Sequence, residues 1–321
     1  MLDKSLVARL NRSSRLANIA NLGDVLGNLP PLAGKLWFVD TTAGSNGQSG
    51  KTFSAGFKTV AKAVAVAGAN DAIAIVAPTN TYQLSEAVTI ASAKRGLRLI
   101  GLGNGPLGAV WSGAVNTVSL TVNAYDVMVE NIKFRPPAYS TGSHSVAAGI
   151  SLSGAYNAII RNCLFQGQAN SENAILTDGN NANVIVEDCE FIYLNTATYG
   201  AGIFGSGYTV GENSGWMIRN CTFHSNVSHI WTRLRQSSIL GCHFADYGLG
   251  PAGAGIQTTK KIFISGATLG VNRVHGNVFE GTYNLAGYTG GTNDNWFGNV
   301  VGVNTATVTN GAGVTFTVPG S

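Results

Sequence analysis

Ile160-Arg161-Asn162-Cys163-Leu164-Phe165 decides the fold, because the chain repeats it. Val186-Glu187-Asp188-Cys189-Glu190-Phe191, Ile218-Arg219-Asn220-Cys221-Thr222-Phe223 and Ile239-Leu240-Gly241-Cys242-His243-Phe244 are copies, and the four together hold every cysteine of the chain. Val129-Glu130-Asn131-Ile132-Lys133-Phe134 and Val274-His275-Gly276-Asn277-Val278-Phe279 continue the pattern without cysteine, and Trp296-Phe297-Gly298-Asn299-Val300-Val301 is a weaker last copy. The third residue is always Asn, Asp or Gly, the types that tolerate left-handed backbone. Each motif therefore reads as a short strand, a one-residue corner and a second short strand. Cysteine and phenylalanine, two residues apart, share the inner face.

A third strand precedes each motif, anchored at Ile150, Ile175, Ile203, Ile230, Ile256 and Leu285, at intervals of 25 to 29 residues. Three short strands per repeat of this length predict an all-β fold, a single-stranded parallel β-helix. Its coils stack at about 4.8 Å, the inter-strand spacing, and its loops vary in length on the flanks. A sandwich or propeller would need two-residue hairpin turns, which are sparse here.

Composition agrees. Of 321 residues 42 are glycine and only 11% are charged, which suits a stack of strands and corners. The length fits one large solenoid without a second globular domain. Residues 1–35 hold a net charge of +3 and the remainder only +1, so the body is not a basic nucleic-acid surface. No apolar run is long enough to span a membrane, and the N-terminus lacks the apolar core of a secretory signal. The expectation is a cytosolic protein, or one released by another route such as host lysis. Neighbouring inward cysteines on stacked rungs have near-parallel Cβ vectors at the wrong spacing for a bridge, so four buried thiols are expected rather than disulfides. No metal site and no cofactor is expected: there is no CxxC, and strand alternation puts Cys221 and His224 on opposite faces.

Along the chain, residues 1–35 form a helical attachment or assembly segment, with stripes at Leu2, Leu6, Leu10 and at Leu16, Ile19, Leu22, Leu26, ended by Pro30-Pro31. Residues 36–301 form the β-helix. Phe57 to Ala67 reads as an amphipathic plug helix ahead of the first coils, with Phe57, Val60, Ala61, Val64 and Ala67 on its apolar face. Residues 302–321 read as a C-terminal cap or an inter-chain strand segment.

The segment from Trp37 to Val301 resembles the right-handed β-helix proteins of the pectin-lyase type, and among them bacteriophage tailspikes. The resemblance rests on Phe38-Val39-Asp40, on the plug helix with Phe57-Lys58-Thr59-Val60, on the apolar strand at 72–76 and on the repeated Asn-Cys-x-Phe corner. It implies an asparagine ladder through Asn131, Asn162, Asp188 and Asn220. It also implies a homotrimeric virion protein, docked to other virion proteins through residues 1–35 and binding bacterial surface polysaccharide. The Asp-Asp, Asn-Thr-Asp and Trp-x-Asp-His motifs of pectin-degrading relatives are missing.

Two outward rows carry chemistry. Glu130, Arg161, Glu187 and Arg219 form an alternating charge ladder expected to be structural. Glu190, His224 and His243, with Asp246 at the next corner, are the candidate catalytic residues. A carboxylate beside histidines suits acid–base work, and two carboxylates about 5–10 Å apart suit a glycosidase. Tyr193, Trp231 and Tyr247 are candidate sugar platforms. Three functions follow: a virion spike or fibre that binds host polysaccharide, a polysaccharide hydrolase or lyase, and a purely structural fibre or decoration protein.

Overall fold

The computed structural model describes residues 34–76, 85–102, 109–138, 147–167, 171–194, 200–205, 213–246, 262–263, 272–281, 288–289, 295–301 and 316–317. The helical stripes expected over 1–35 therefore lie outside the described residues, as does Tyr247. In the described residues the strands form three long parallel sheets. Sheet A has ten strands, from Leu36–Asp40 to Asn295–Phe297; sheet B has nine, from Val110–Ser112 to Phe316–Thr317; sheet C has eight, from Val88–Ile90 to Tyr288–Thr289. Each coil contributes one strand to each sheet, which is a parallel β-helix.

The corner between sheets A and B is the one read from the motif. Asn131, Asn162, Asp188 and Asn220 have φ of 58°, 49°, 53° and 52°, and Gly241, Gly276 and Gly298 continue the row at 60°, 65° and 61°. Asn162 Nδ2 donates to Asn131 Oδ1 at 3.2 Å, and Asn131 Nδ2 to the Gly101 carbonyl at 2.6 Å, so of the expected asparagine ladder the side-chain link from Asn131 to Asn162 forms, while Asp188 and Asn220 continue the row through backbone conformation. A second left-handed row, not read from the sequence, opens sheet A. It comprises Asn70, Gly96, Asp126, Asn157, Asn183, Gly215 and Gln236. Asn183 Nδ2 donates to Asn157 Oδ1 at 3.2 Å, and Asn157 Nδ2 to Asp126 Oδ1 at 2.9 Å.

Inside, the phenylalanines stack as one column. Ring centroids from Trp111 through Phe134, Phe165, Phe191, Phe223 and Phe244 to Phe279 are 5.7, 5.2, 4.9, 4.4, 5.0 and 5.0 Å apart. Cys163, Cys189, Cys221 and Cys242 form a parallel column of buried free thiols. Burial holds the Cys189 and Cys242 thiols above their ordinary range, and each Sγ donates weakly to carbonyls of its own coil and the one before. The column then passes to buried amides: Asn277 Oδ1 accepts from Cys242 N at 2.8 Å, and Asn277 Nδ2 donates to Asn299 Oδ1 at 3.0 Å.

Three expectations change. The plug helix is α1, Val60–Val66, shorter than 57–67; Thr59 caps it, its hydroxyl accepting from Lys62 N. Phe57 is instead an extended residue bridged to Val39. Ala61 is exposed, and Val60, Ala63, Val64 and Ala67 form the buried face, because an i, i+3, i+4, i+7 stripe runs through 63. Finally, the sheet C anchors Ile256 and Leu285 lie outside the described residues; Ile230 pairs with Ile262, and Ile262 with Tyr288. Ile262-Phe263 matches Ile230-Trp231 residue for residue, whereas Ile256-Gln257 does not. In the C-terminal segment, Phe316–Thr317 pairs in parallel with Asn299 and Val300 of the same chain.

The N-terminal end is tied by Asp71. Its carboxylate accepts from Lys35 N at 2.6 Å, Trp37 Nε1 at 2.7 Å and Gly68 N at 2.7 Å. Burial works against its charge, but these donors outweigh it and lower the pKa.

Two stability predictions follow. Phe191→Ala removes a fully buried ring stacked on both sides and is expected to cost about 3–5 kcal/mol in denaturant unfolding. Glu172 is fully buried, and burial pushes its pKa up to about 7, against the hydrogen bond it accepts from Ala147 N. A raised carboxyl favours the folded state while protonated. The contribution of Glu172 to stability should therefore be greatest below the ordinary carboxylate pKa and decline as pH rises toward about 7, by on the order of 3 kcal/mol in all, opposite in sign to that of Asp71. Glu172→Gln should flatten that slope when unfolding is followed between about pH 4 and pH 8.

Candidate functional site

The solvent face of sheet B gathers most of the candidate residues. Parallel register puts Lys133, Leu164, Glu190, Thr222 and His243 in one row on five successive rungs. Ile192, His224 and Ala245 form the next outward row. The two rows meet diagonally where His224 Nε2 lies 3.1 Å from Glu190 Oε1. His224 is 19% exposed and Glu190 47%, so the pair sits at the surface with its carboxylate open to solvent. The His224 hydrogen bond lowers the Glu190 pKa; burial opposes this, and the charges of His224 and Lys133 add to it.

Lys133 was not read as a site residue. It is buried, and burial lowers its pKa, aided by neighbouring Arg135 and opposed by Glu190. His243 is half-buried two rungs from Glu190, with Thr222 between them.

Tyr193 completes the patch. It follows Ile192 at the corner leaving sheet B, its φ is 56°, and its ring lies edge-on to the His224 ring with centroids 5.9 Å apart. Left-handed backbone is strained for a bulky residue, at about 1–3 kcal/mol, and persists only where neighbours over-determine it. Here the buried Asn226 does so. Its Nδ2 donates to the Phe191 carbonyl at 2.9 Å, and its Oδ1 accepts from Leu194 N at 3.0 Å, clamping the chain on both sides of Tyr193. The coil below adds a second constraint: a Cβ on Gly167 would come within 2.0 Å of the Tyr193 carbonyl oxygen. The ring itself remains 36% exposed. Asn226 was missed in the sequence because a buried asparagine in an irregular corner belongs to no repeat.

The other candidates are elsewhere. Trp231 lies on sheet C, half-buried and edge-on to Phe204 at 5.4 Å, so it does not join the Glu190 patch. Asp246 ends the strand His243–Asp246 and pairs in register with Gly281. Strand geometry puts its Cα about 14 Å from that of Glu190, three residues along and two rungs up. On sheet A, Arg161 binds Glu130 at 3.0 Å, and Arg219 Nε binds Glu187 at 2.7 Å, which resolves the outward charge ladder into two ion pairs. Cys221 is buried in the core and His224 lies on the outer face. Among the described residues no group of three or more His, Cys, Asp or Glu is placed to hold a metal ion, and no helix is long and apolar enough to cross a membrane.

A general acid for glycoside cleavage needs a raised pKa, whereas that of Glu190 is lowered, which fits the ionised base or nucleophile of such a pair and not its acid. An ionised carboxylate, an imidazole and an exposed phenol ring supply two polar anchors and an aromatic edge, a set that fits sugar hydroxyls and C–H faces.

Residues 122–301 match the family described as right-handed β-helix region, and the chain belongs to that family. No curated protein sequence matches it. Among solved structures it is similar to a rhamnogalacturonan lyase (TM-score 0.56, 16% identity, 84% of this chain and 73% of that one). It is also similar to a pectate lyase (0.57, 13%, 88% and 74%) and to the pectin methylesterase of Aspergillus niger (0.54, 14%, 89% and 90%). At these identities the likeness is one of fold.

Tyr193→Gly removes the backbone strain along with the ring. Its unfolding free energy is expected to stay within about 1 kcal/mol of the parent or to rise, in contrast to Phe191→Ala two residues away. A loss of several kcal/mol in chemical denaturation would make Tyr193 a packing residue instead.

Proposed function

We propose that this protein is a virion appendage of a bacteriophage, a homotrimeric spike or fibre that attaches through residues 1–35 to other virion proteins and binds host surface polysaccharide along sheet B. The observation that carries the binding reading is Tyr193, held in a strained conformation by Asn226 with its ring at the surface beside His224 and Glu190. Strain of this kind, clamped by buried hydrogen bonds, serves presentation of a side chain and adds nothing to the core. The virion assignment is supported by the resemblance of the Asn-Cys-x-Phe solenoid to tailspikes and by the basic, apolar-striped residues 1–35. The named structural neighbours are a rhamnogalacturonan lyase, a pectate lyase and a pectin methylesterase, which supports a carbohydrate ligand for the same fold.

A second reading, a polysaccharide hydrolase or lyase, is favoured by the 3.1 Å Glu190–His224 contact. The lowered pKa of Glu190 argues against it as the general acid and leaves the base or nucleophile role, which the assay for new ends tests.

The test incubates the purified protein with surface polysaccharides from a panel of bacteria, scoring retention together with new reducing or unsaturated ends. Retention without new ends is expected. Tyr193→Ala should weaken it at least tenfold, which is about 1.4 kcal/mol, while the melting temperature holds. New ends that disappear in Glu190→Gln would establish the enzyme instead, and no retention by any polysaccharide would leave a structural fibre.

A further inference from the structure

A cleft of about 550 Å³ lies away from sheet B, on the corner that leads from sheet C into sheet A. Its volume is in the range of small-molecule sites. Two tyrosines from successive coils form its aromatic part. Tyr125 and Tyr156 meet edge to face with centroids 4.8 Å apart, and Tyr125 is 48% exposed. Both directly precede left-handed residues of the second corner row, Asp126 and Asn157, so the ladder that stacks those corners also stacks the rings.

Arg95 is the cleft's cation. Its Nε donates to Asp126 Oδ2 at 2.6 Å, and the side chain is nevertheless 67% exposed. Asp126 is held in turn by Asn157 Nδ2 on its other oxygen, and Asn157 first, then Arg95, lower its pKa. The carboxylate is thus committed on both oxygens. It orients the guanidinium through one nitrogen and leaves the rest of the fork to solvent.

Polar side chains surround these three. Ser92, Asn123, Ser153 and Asn180 line the cleft, and their side chains make no hydrogen bond to any described residue. In the corner rows, by contrast, Asn162 bonds to Asn131 and Asn183 to Asn157. Here two amides and two hydroxyls, open to solvent, line the same cleft as an aromatic pair and a preoriented guanidinium.

We propose that this cleft is a second carbohydrate-binding site, and that it takes an acidic sugar residue. Stacking and C–H contact on Tyr125 and Tyr156 hold the ring, the free amides and hydroxyls take its hydroxyl groups, and Arg95 takes its carboxylate as a fork. Asp126 is a positioning residue, acting only through Arg95. The site takes from the proposed function only that the ligand is a glycan; it does not use Glu190, His224 or Tyr193.

The experiment titrates the full chain with hexasaccharides containing glucuronate or galacturonate, each beside its carboxyl-reduced counterpart, by calorimetry or ligand-observed NMR. The acidic fragments are expected to bind, and the reduced ones to bind at least tenfold more weakly. Arg95→Gln and, independently, Tyr125→Ala should each weaken the acidic fragment at least tenfold, with melting temperature and circular dichroism retained. Affinity should track Arg95 and not Glu190, so Glu190→Gln tells the two sites apart. If Glu190→Gln abolishes fragment binding and Arg95→Gln leaves it intact, the sugar sits on sheet B and the second site is overturned. If Arg95→Gln abolishes it while Glu190→Gln and Tyr193→Ala alter neither fragment nor whole-polysaccharide binding, the cleft stands and the sheet B reading fails. Equal affinity for acidic and reduced fragments, or no binding of any acidic fragment, overturns the proposal.

Discussion

One residue per coil, turned left-handed between sheets A and B, sets the geometry of this solenoid. A single αL residue bends the chain sharply without inserting a loop, so strands on either side keep the same register in every coil. Fixed register in turn places Phe165, Phe191, Phe223 and Phe244 directly above one another, and their stacked rings fill the core. If the corner gained a residue, the following strand would slip by one and send its phenylalanine to solvent. Asparagine tolerates the conformation, and at Asn131 and Asn162 the two side chains also bond to each other.

The interior shows how a repeat accommodates polar groups. Buried thiols occupy one column over four coils, and Asn277 and Asn299 replace them in the next two. The exchange is possible because each amide finds partners up and down the stack: Asn277 Nδ2 reaches both the Ile239 carbonyl and Asn299 Oδ1. A lone buried asparagine would incur a desolvation cost, whereas a ladder of them satisfies its members. The same logic governs Asn181, whose Nδ2 donates to Asn213 Oδ1, and Asn213, whose Nδ2 donates to the Thr177 and Thr232 hydroxyls.

With the backbone dictated by inward residues and corners, the outward positions are free to vary. The chain shares its fold with solved structures at 13–16% identity, so the fold alone does not specify what the outward positions do. Glu190, His224 and Tyr193 meet because two rows of sheet B and one corner converge. Arg95, Tyr125 and Tyr156 meet because the second corner row stacks. In both places a buried or committed hydrogen-bonding group, Asn226 or Asp126, holds the exposed one in position.

The sequence by itself determined the coil: the Asn-Cys-x-Phe motif carries corner, inward column and strand parity within six residues, all of them local. The second corner row was also visible, in Asp126-Val127-Met128-Val129, Asn157-Ala158-Ile159-Ile160 and Asn183-Val184-Ile185-Val186, but its signal lies in spacing relative to the first motif and was not read. Glu190 and His224 could be assigned to one face from alternation alone. Their 3.1 Å contact, the clamp of Asn226 on Tyr193, the separation of Trp231 from the patch and the cleft at Arg95 were decided only by tertiary structure. Each depends on how far a side chain reaches across rungs and around corners. Strand periodicity records which face a residue occupies. It does not record which neighbour on that face the side chain meets.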